Sequence, residues 1–487
     1  MRKSLNLLVV LVMLAGMALV GCGGTTPATT EAPAATTESS VGETVVEETA
    51  APPAEAGKTV LNVWSFTNEI NTMAVAYECR NPNVDVVYTM IPMTNGEYQT
   101  KLLASLGTAD APDVIALEAS FVKEYVESDF LADLGTLLPE AETAGAYPFV
   151  IEVGSDEGVA KAFSYQATPG ALFYRRSLAL EYFGTDDPVE IQALLSDMDK
   201  FTEAAAIIKE MSGGNTYMVA SNGDFQNPYF ANRAQPWIVD GELVIDPMVT
   251  EYINTAKLFR DEGYEAQAQQ WQEGWFAGMN DTLVDAAGNP KQVFAYFLPT
   301  WGLPYVLAPN AVAADGSSDT SGDWAVIEGP LPYQWGGTWV GMIDGSPNAD
   351  LATDFVRFVA LDQENLTNWA TGVYTNEYLK TCDPNVPADQ QQAPGDFVSS
   401  QVVVEQIVSS FDDSEMSAFL GGQNSYAGFA TAAPSVNAEL MTGSDDAIQR
   451  ALNDPVAQYL NGEITEEEMW DSWKSNLRIE FPDLIIP

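Results

Sequence analysis

The chain reads, from residue 61 to residue 90, LNVWSFTNEINTMAVAYECRNPNVDVVYTM. Its first six residues, Leu61 to Phe66, have the apolar character and the length of a strand. Its end alternates between apolar and other side chains, as the buried face of a second strand does, at Val84, Val86, Tyr88 and Met90. The stretch between them predicts a helix. The pattern is therefore strand, helix, strand.

The next residues repeat this order. Tyr98, Leu102 and Leu106 fall on one helical stripe, and Pro112 precedes the continuous apolar run 114–117. Strands that alternate with helices are typical of an α/β layer, so we expect a largely parallel sheet here.

A second α/β set is predicted from about Tyr165 onward. A helical stripe is marked by Phe201, Ala205 and Ile208, and strands are predicted at 217–220 and 293–297. Beyond them, a further stripe behind a cap at Ser346 or Asn348 consists of Leu351, Phe355 and Phe358.

An export signal precedes this body. Arg2 and Lys3 form a positive n-region before an apolar run from Leu5 to Val20, which is short for a membrane-spanning helix. The run ends at Gly21-Cys22, where small residues before a cysteine resemble a bacterial lipobox. That resemblance implies cleavage before Cys22 and its acylation, for example with palmitate, and hence a membrane anchor. The alternative is an ordinary signal peptide that ends near a cysteine.

Residues 23–57 contain only Gly, Thr, Pro, Ala, Glu, Ser and Val. Such a segment cannot form a hydrophobic core, so we expect residues 22–58 to be the lipidated cysteine and a disordered tether. Its prolines and like-charged glutamates favour an extended chain that lifts the body off the lipid. A spacer of this kind suits the thick wall of a Gram-positive surface.

The charge balance is strongly acidic, with 69 Asp and Glu against 20 Lys and Arg and a formal net charge of -49. This balance argues against nucleic acid or anionic lipid as a partner. A solvated, self-repelling surface explains it most simply, and a cationic ligand is the alternative.

Histidine is absent from the sequence. Ser-His-Asp and Cys-His catalysis and His-bearing metal sites are therefore excluded, whereas chemistry by an Asp/Glu pair is not. Cys79 and Cys382 are interpreted as structural thiols, with their pairing left open. Asp315, Asp319 and Asp323 do not have the spacing of a calcium loop, so neither metal nor cofactor is assigned.

Four separated segments carry a family resemblance. They are APDVIALEASFVKEYVESDFLADL (Ala111 to Leu134), TPGALFYRRSLALEYFG (Thr168 to Gly184), FLPTWG (Phe297 to Gly302) and WGGTWVGMIDGSPNADLATDFVRFV (Trp335 to Val359). From about residue 59 onward the chain resembles extracellular solute-binding protein family 1, the carbohydrate-binding components of ABC importers. It departs from many members at 128–130 and at Arg176.

The resemblance implies a two-lobed α/β fold of the periplasmic-binding-protein kind, with a ligand cleft and a hinge between the lobes. We expect the N-terminal lobe to comprise residues 59–164 and 330–365. The C-terminal lobe would then comprise 165–329 and 366–487. A membrane permease is the implied partner, and the protein is expected to act as a monomer.

Aromatic side chains are candidate ligand contacts, because a flat ring covers the apolar face of a sugar. Trp301 follows an apparent strand and is the first candidate. Trp339 lies in a GGTW motif, where Gly337 permits close backbone approach and Thr338 supplies a hydroxyl. Trp275 would form a platform with Trp271 if the two are one helical turn apart. Core packing, or a hinge turn in the GGTW motif, is the alternative for each.

Polar candidates follow the ends of predicted strands. Asn68 follows the first strand and Glu118 the third, so both would lie at one sheet edge. Gln166 lies near the predicted crossover, and Gln423 and Asn424 stand in a GGQN motif that resembles a segment of carbohydrate-binding members. For Asn68 and Glu118, the alternative is an exposed loop residue or a helix cap.

We expect reversible capture and delivery of a mono- or oligosaccharide, without catalysis. A surface glycoside hydrolase or lyase with an Asp/Glu pair is one alternative. A binding protein for another solute, such as a polyamine, is the other.

Overall fold

The computed structural model describes residues 57–386, 396–410 and 415–487. The predicted signal peptide, the lipidation at Cys22 and nearly all of the predicted tether lie outside these residues. Among the described residues, no helix has the length and apolarity required to cross a membrane.

Thirteen strands occur in the described residues. In chain order they are β1 Thr59–Ser65, β2 Val84–Met90, β3 Val114–Glu118, β4 Ser155–Asp156, β5 Val159–Ala160, β6 Ala162–Ser164, β7 Gly170–Arg175, β8 Thr216–Val219, β9 Ile238–Val239, β10 Glu242–Leu243, β11 Gln292–Pro299, β12 Trp324–Ile327 and β13 Thr338–Met342.

The α-helices, again among the described residues, are α1 Asn68–Arg80, α2 Glu97–Ser105, α3 Val122–Val126, α4 Leu138–Thr143, α5 Pro148–Val153, α6 Arg176–Phe183, α7 Pro188–Leu194, α8 Met198–Ser212, α9 Gln226–Ala231, α10 Pro247–Glu262, α11 Glu273–Met279, α12 Ala308–Asn310, α13 Ala349–Leu361, α14 Gln363–Ala370, α15 Asn376–Cys382, α16 Gln401–Ser409, α17 Glu415–Phe419, α18 Ser425–Ala432, α19 Asp445–Leu460 and α20 Glu466–Glu480. Short 3-10 turns occupy Thr94–Gly96, Gly135–Leu137, Asn222–Phe225 and Ala433–Ser435, and a π-helical turn occupies Leu303–Leu307.

The first lobe is built on a five-stranded sheet of order β2-β1-β3-β13-β6. In β1 the fully buried positions alternate with more exposed ones, whereas β13 is buried throughout. Helices α1 and α13 pack on this sheet, and more than half of the residues of each helix are buried. The strand, helix, strand order predicted from residues 61–117 is confirmed.

The second lobe is built on a four-stranded sheet of order β12-β7-β11-β8. Its central strands are almost wholly buried, because helices cover both faces. Helix α8 begins at Asp197, whose carboxylate accepts the backbone N–H of Lys200, and ends at Gly213 in a left-handed conformation. Helices α19 and α20 pack together, and the indole N–H of Trp473 donates to the carbonyl of Ile448.

The prediction of a largely parallel sheet in the first layer is wrong in part. Strand β1 is parallel to β2 and β3, but β13 is antiparallel to both β3 and β6. In the second sheet only the β11–β8 pair is parallel. The reason is that β13 returns from the second lobe and therefore enters the first sheet in the reverse direction.

Three segments connect the lobes, at 165–169, 328–337 and 396–400. The first two pair with each other, since Gly170 donates its N–H to Tyr333 at 2.7 Å and Trp335 donates to Thr168 at 3.1 Å. A Cβ at Gly170 would lie 2.0 Å from the Tyr333 ring, so only glycine allows this approach. The third segment joins the first, because Ala167 donates to Phe397. Together they form a three-stranded hinge.

A disulfide joins Cys79, in the last turn of α1, to Cys382 at the end of α15. The two cysteines are therefore paired, which the sequence had left open, and the default interpretation as structural thiols gives way to a disulfide. The bond and the packing of α15 on α1 hold residues 376–382 on the first lobe. This placement corrects the predicted division for these residues, because 366–487 was assigned to the second lobe. The other boundaries stay predictions.

Candidate functional site

A cleft of about 270 Å³ opens between the lobes beside the hinge. The first lobe contributes residues 118–120, from the carboxyl end of β3. The hinge contributes residues 334–336. The second lobe contributes Asn227, Phe230, Ala231, Arg233, Asn437, Leu440, Met441, Thr442, Asp445, Asp446 and Gln449.

Glu118 is the acidic group of the first wall. It ends β3, opposite the first residue of β13. Its carboxylate accepts the backbone N–H of Ser120 at 2.8 Å and also the Ser120 hydroxyl. Burial is the main reason that the pKa of Glu118 is raised, although the bonds from Ser120 lower it. The carboxylate is thus oriented at the cleft, as the sequence predicted for this sheet edge.

Arg233 is the basic group of the second wall, and it is not among the contacts predicted from the sequence. Its guanidinium donates to Asp445 at 2.7 Å and lies 4.5 Å from the centre of the Trp237 ring. The side chain is 3% exposed, so this is a buried ion pair with a fixed orientation. No motif marks Arg233 in the sequence, because its acidic partner Asp445 is 212 residues further along the chain.

Three tryptophans, Trp271, Trp301 and Trp335, form what we call the tryptophan cluster. The rings of Trp271 and Trp301 are stacked at 6.3 Å with 12° between their planes, and Trp335 meets Trp301 edge-on at 5.5 Å. The indole N–H of Trp301 donates to the carbonyl of Trp335 at 2.9 Å. Because Trp335 also lines the cleft, the cluster and the cleft are continuous.

Trp271 is the most accessible member of the cluster, with 46% of its surface exposed. It is not helical, since its φ is +67°, so the predicted helical spacing to Trp275 is wrong. A left-handed backbone at a bulky residue costs about 1–3 kcal/mol and is concentrated at functional sites. Trp275 is in α11 and is fully buried, with its N–H donated to Asp224. It is a core residue and does not line the cleft.

Trp339 is also a core residue. It lies within β13, is 1% exposed and donates its indole N–H to the carbonyl of Val150. Gly337 has a φ of +112°, and a Cβ there would lie 3.0 Å from the Trp339 ring. Thr338 is buried at the start of β13. The GGTW motif is therefore a hinge turn, which was the alternative prediction for it, and only its first residue, Gly336, lines the cleft.

Gln166 is placed in the hinge, where it joins two buried acids. Its side-chain amide donates to Asp396 at 2.8 Å and to Glu69 at 3.4 Å. The Tyr165 hydroxyl also donates to Glu69. Burial first, and the neighbouring Asp396 second, raise the pKa of Glu69. Gln166 thus links two buried acids of the hinge, and it is not part of the cleft lining.

The remaining predicted polar contacts serve secondary structure. Asn68 is half-buried at the first position of α1, and its carbonyl accepts the Thr72 hydroxyl. Gln423 pairs its amide with both backbone groups of Val326 on the edge strand β12. Asn424 caps α18 through the N–H of Ala427. Neither Gln423 nor Asn424 lines the cleft.

The acidic residues considered for calcium have protein partners. Asp315 and Asp319 each accept a backbone N–H two residues further on, and Asp323 pairs with Arg175 at 2.8 Å. In the part of the chain that the structure describes, no group of three or more Cys, Asp or Glu side chains is arranged to hold a metal ion.

Comparison with solved structures shows the same two-lobed fold. The galacto-N-biose-/lacto-N-biose I-binding protein of an ABC transporter from Bifidobacterium longum, in complex with lacto-N-biose, is 14% identical with a TM-score of 0.62, over 89% of this chain and 100% of that chain. An ABC transporter associated binding protein from B. animalis subsp. lactis Bl-04, in complex with β-1,6-galactobiose, is 19% identical with a TM-score of 0.59, over 88% and 99%. The sugar-binding protein MalE from Xanthomonas citri is 15% identical with a TM-score of 0.63, over 88% and 97%.

No curated protein sequence matches the chain significantly. At the identities above, structural likeness shows the fold alone. The family model described as bacterial extracellular solute-binding protein matches residues 72–395, which is more than half of the chain. The chain therefore belongs to the bacterial extracellular solute-binding protein family.

Proposed function

We propose that this protein captures a carbohydrate in the interlobe cleft and delivers it to the permease of an ABC importer. The observation that carries the proposal is the tryptophan cluster, which continues into a cleft lined by Glu118, Asn227 and Arg233. A pyranose has apolar C–H faces and a rim of hydroxyls. Indole faces cover the former, and carboxylate, amide and guanidinium groups pair with the latter.

The fold supports the same ligand class. The relatives from B. longum and B. animalis subsp. lactis are described in complex with disaccharides. Of the residues predicted from the sequence, we propose Glu118 and Trp301 as ligand contacts. Trp271, Trp335, Asn227 and Arg233 join them.

Capture depends on closure of the lobes about the three-stranded hinge. A ligand shifts the equilibrium toward the closed form only if it binds that form better than the open one. Contacts from both walls meet this requirement, because Glu118 and Arg233 reach one ligand together only when the lobes are closed. The protein binds and releases its ligand without breaking a bond in it.

Members of this family act outside the cytoplasm, and the predicted signal peptide would export the chain to that location. We further propose that Cys22 is acylated and that residues 22–58 form a tether. The body would then act as a monomer at a Gram-positive surface. Their support is the lipobox and the composition of residues 23–57.

A thermal-shift screen tests the ligand class. The probes are β-1,6-galactobiose, lacto-N-biose and maltose, with spermidine as the polyamine. A ligand at 100 times its Kd stabilises the folded protein by about 2.7 kcal/mol, so a cognate sugar should raise the Tm measurably. Stabilisation by spermidine alone would favour the polyamine alternative. Sustained release of monosaccharide from a disaccharide would identify an enzyme and overturn the proposal.

A further inference from the structure

The lobes also touch at the rim of the cleft, away from the hinge. The backbone N–H of Gly443, which precedes α19 on the second lobe, donates to the Glu127 carboxylate of the first lobe at 3.2 Å. A Cβ on Gly443 would lie 3.1 Å from the backbone nitrogen of Glu124 in α3. Such an approach between the lobes belongs to the closed conformation, because opening about the hinge separates α3 from residue 443.

This contact brings acidic groups together from both sides. The first lobe contributes Glu118, Glu124 and Glu127, and the second contributes Asp445 and Asp446. We call these five residues the acidic rim. Like charges at close range in a partly buried site repel each other more strongly than they do in water.

The neighbouring cations are already engaged. Lys123 donates to the carbonyls of Glu152 and Ser155, both at 2.8 Å. Arg233 is paired with Asp445, and Arg450 with Asp446 and Glu480. The charged or titratable groups that act on Glu124 are Asp446, Arg450, Glu127 and Tyr125.

Glu124 lies where the two lobes approach each other, because its backbone is the part of the first lobe that meets Gly443. In the described chain its carboxylate has no ion pair, and the like charge of Asp446 on the opposite lobe acts on it. Burial first and Asp446 second raise the pKa of Glu124 to about 7, although Arg450 opposes the shift. Burial also raises the pKa values of Glu118, Glu127 and Asp446.

We propose that closure of the lobes is coupled to proton uptake at the acidic rim, with Glu124 as the main group, so that mild acid favours the closed form and alkaline pH favours the open one. Opening exposes Glu124 to water and moves it away from Asp446, which returns the carboxyl toward its ordinary pKa. The closed form therefore binds more protons. Each pKa unit of difference between the two forms changes the closed-to-open ratio by about tenfold.

The test is small-angle X-ray scattering of the purified, ligand-free protein between pH 5.5 and 8.5 at constant ionic strength. We expect the radius of gyration to increase with pH, as the ratio shifts by about tenfold or more toward the open form. Glu124→Gln keeps the shape of the side chain but cannot ionise. This variant should remain compact over the whole range.

Glu142→Gln is the matched control, because Glu142 is an exposed carboxylate on α4 of the same lobe. It should retain the pH dependence of the unmodified protein. A radius that does not change with pH, or an equal change in Glu124→Gln, would overturn the proposal. Since the measurement needs no ligand, its outcome is independent of whether the cleft binds a sugar. Circular dichroism at each pH verifies that every variant is folded.

Discussion

Trp335 lies where the returning crossover enters the cleft. Its carbonyl accepts the indole N–H of Trp301, and its ring meets the rings of Trp271 and Trp301 at 5.8 and 5.5 Å. A ring that is already held in one orientation loses little conformational entropy when a ligand stacks on it. Trp335 is therefore the residue at which we expect the largest effect on binding.

Trp335→Ala should weaken binding of the cognate sugar at least tenfold, which corresponds to about 1.4 kcal/mol. The reason is the loss of an aromatic face that lines the cleft. Isothermal titration calorimetry measures the change. Trp470→Ala removes a half-buried indole from α20, outside the cleft lining, and should leave the affinity unchanged. Equal affinities for Trp335→Ala and the unmodified protein would remove Trp335 from the site.

The raised pKa of Glu69 predicts that the stability of the fold depends on pH. Its folded-state pKa is raised by burial and by Asp396, so the folded protein binds more protons than the unfolded chain. Stability should fall as the pH rises above the ordinary carboxyl pKa of about 4.3, until the raised pKa is passed. In Glu69→Gln this fall should be smaller, which thermal melts between pH 5 and 8 measure. An unaltered slope would show that Glu69 does not titrate in this window.

At the scale of elements, the disulfide fixes α15 to α1. It closes a loop with a sequence separation of 303 residues, and cross-links of long loops reduce the entropy of the unfolded chain most. Such a bond is also typical of an oxidising, extracytoplasmic environment.

Replacement of both cysteines, Cys79→Ser with Cys382→Ser, should lower the free energy of unfolding by about 2–5 kcal/mol. Denaturation in urea measures this difference. Thr381→Ser, at the adjacent exposed position of α15, should have no comparable effect. A double variant as stable as the unmodified protein would show that noncovalent packing alone holds α15 in place.

The elements that the sequence predicted best are those whose signal is local. Strands β1 and β2 and helices α2 and α8 have regular stripes of buried residues, so periodicity alone identifies them. Strand β3 is a continuous buried run, and α1 was predicted as the stretch between two strands. The direction of β13 depends on pairing with β3, more than 200 residues earlier in the chain, and no local pattern contains that information.

The candidate site was predicted less well, for the same reason. Glu118 was found because strand ends mark a sheet edge. Trp339 and Trp275 were misplaced because an aromatic residue near glycines has the same sequence signature in a core as in a cleft. Arg233 and Trp335 became visible only when segments distant along the chain were brought together.

At the scale of the whole molecule, two lobes joined by three crossovers can close on a ligand about a hinge. A binding protein that diffused away would not deliver its ligand, whereas the proposed tether would keep the concentration of the protein near the permease high. Cys22→Ala should therefore release the protein into the medium without a change in sugar affinity. Immunoblots of membrane and medium fractions measure the release, and a membrane fraction that retains the variant would contradict the proposed anchor.

The disulfide has one more consequence, for proteolytic damage. Residues 79 to 382 form a covalent ring that contains β2 to β13 and the first two crossovers. A single cut in any exposed loop of this ring opens the ring but leaves one connected molecule, which separates into two fragments only after reduction. An extracytoplasmic protein that meets foreign proteases can in this way survive a nick with both lobes still attached to each other.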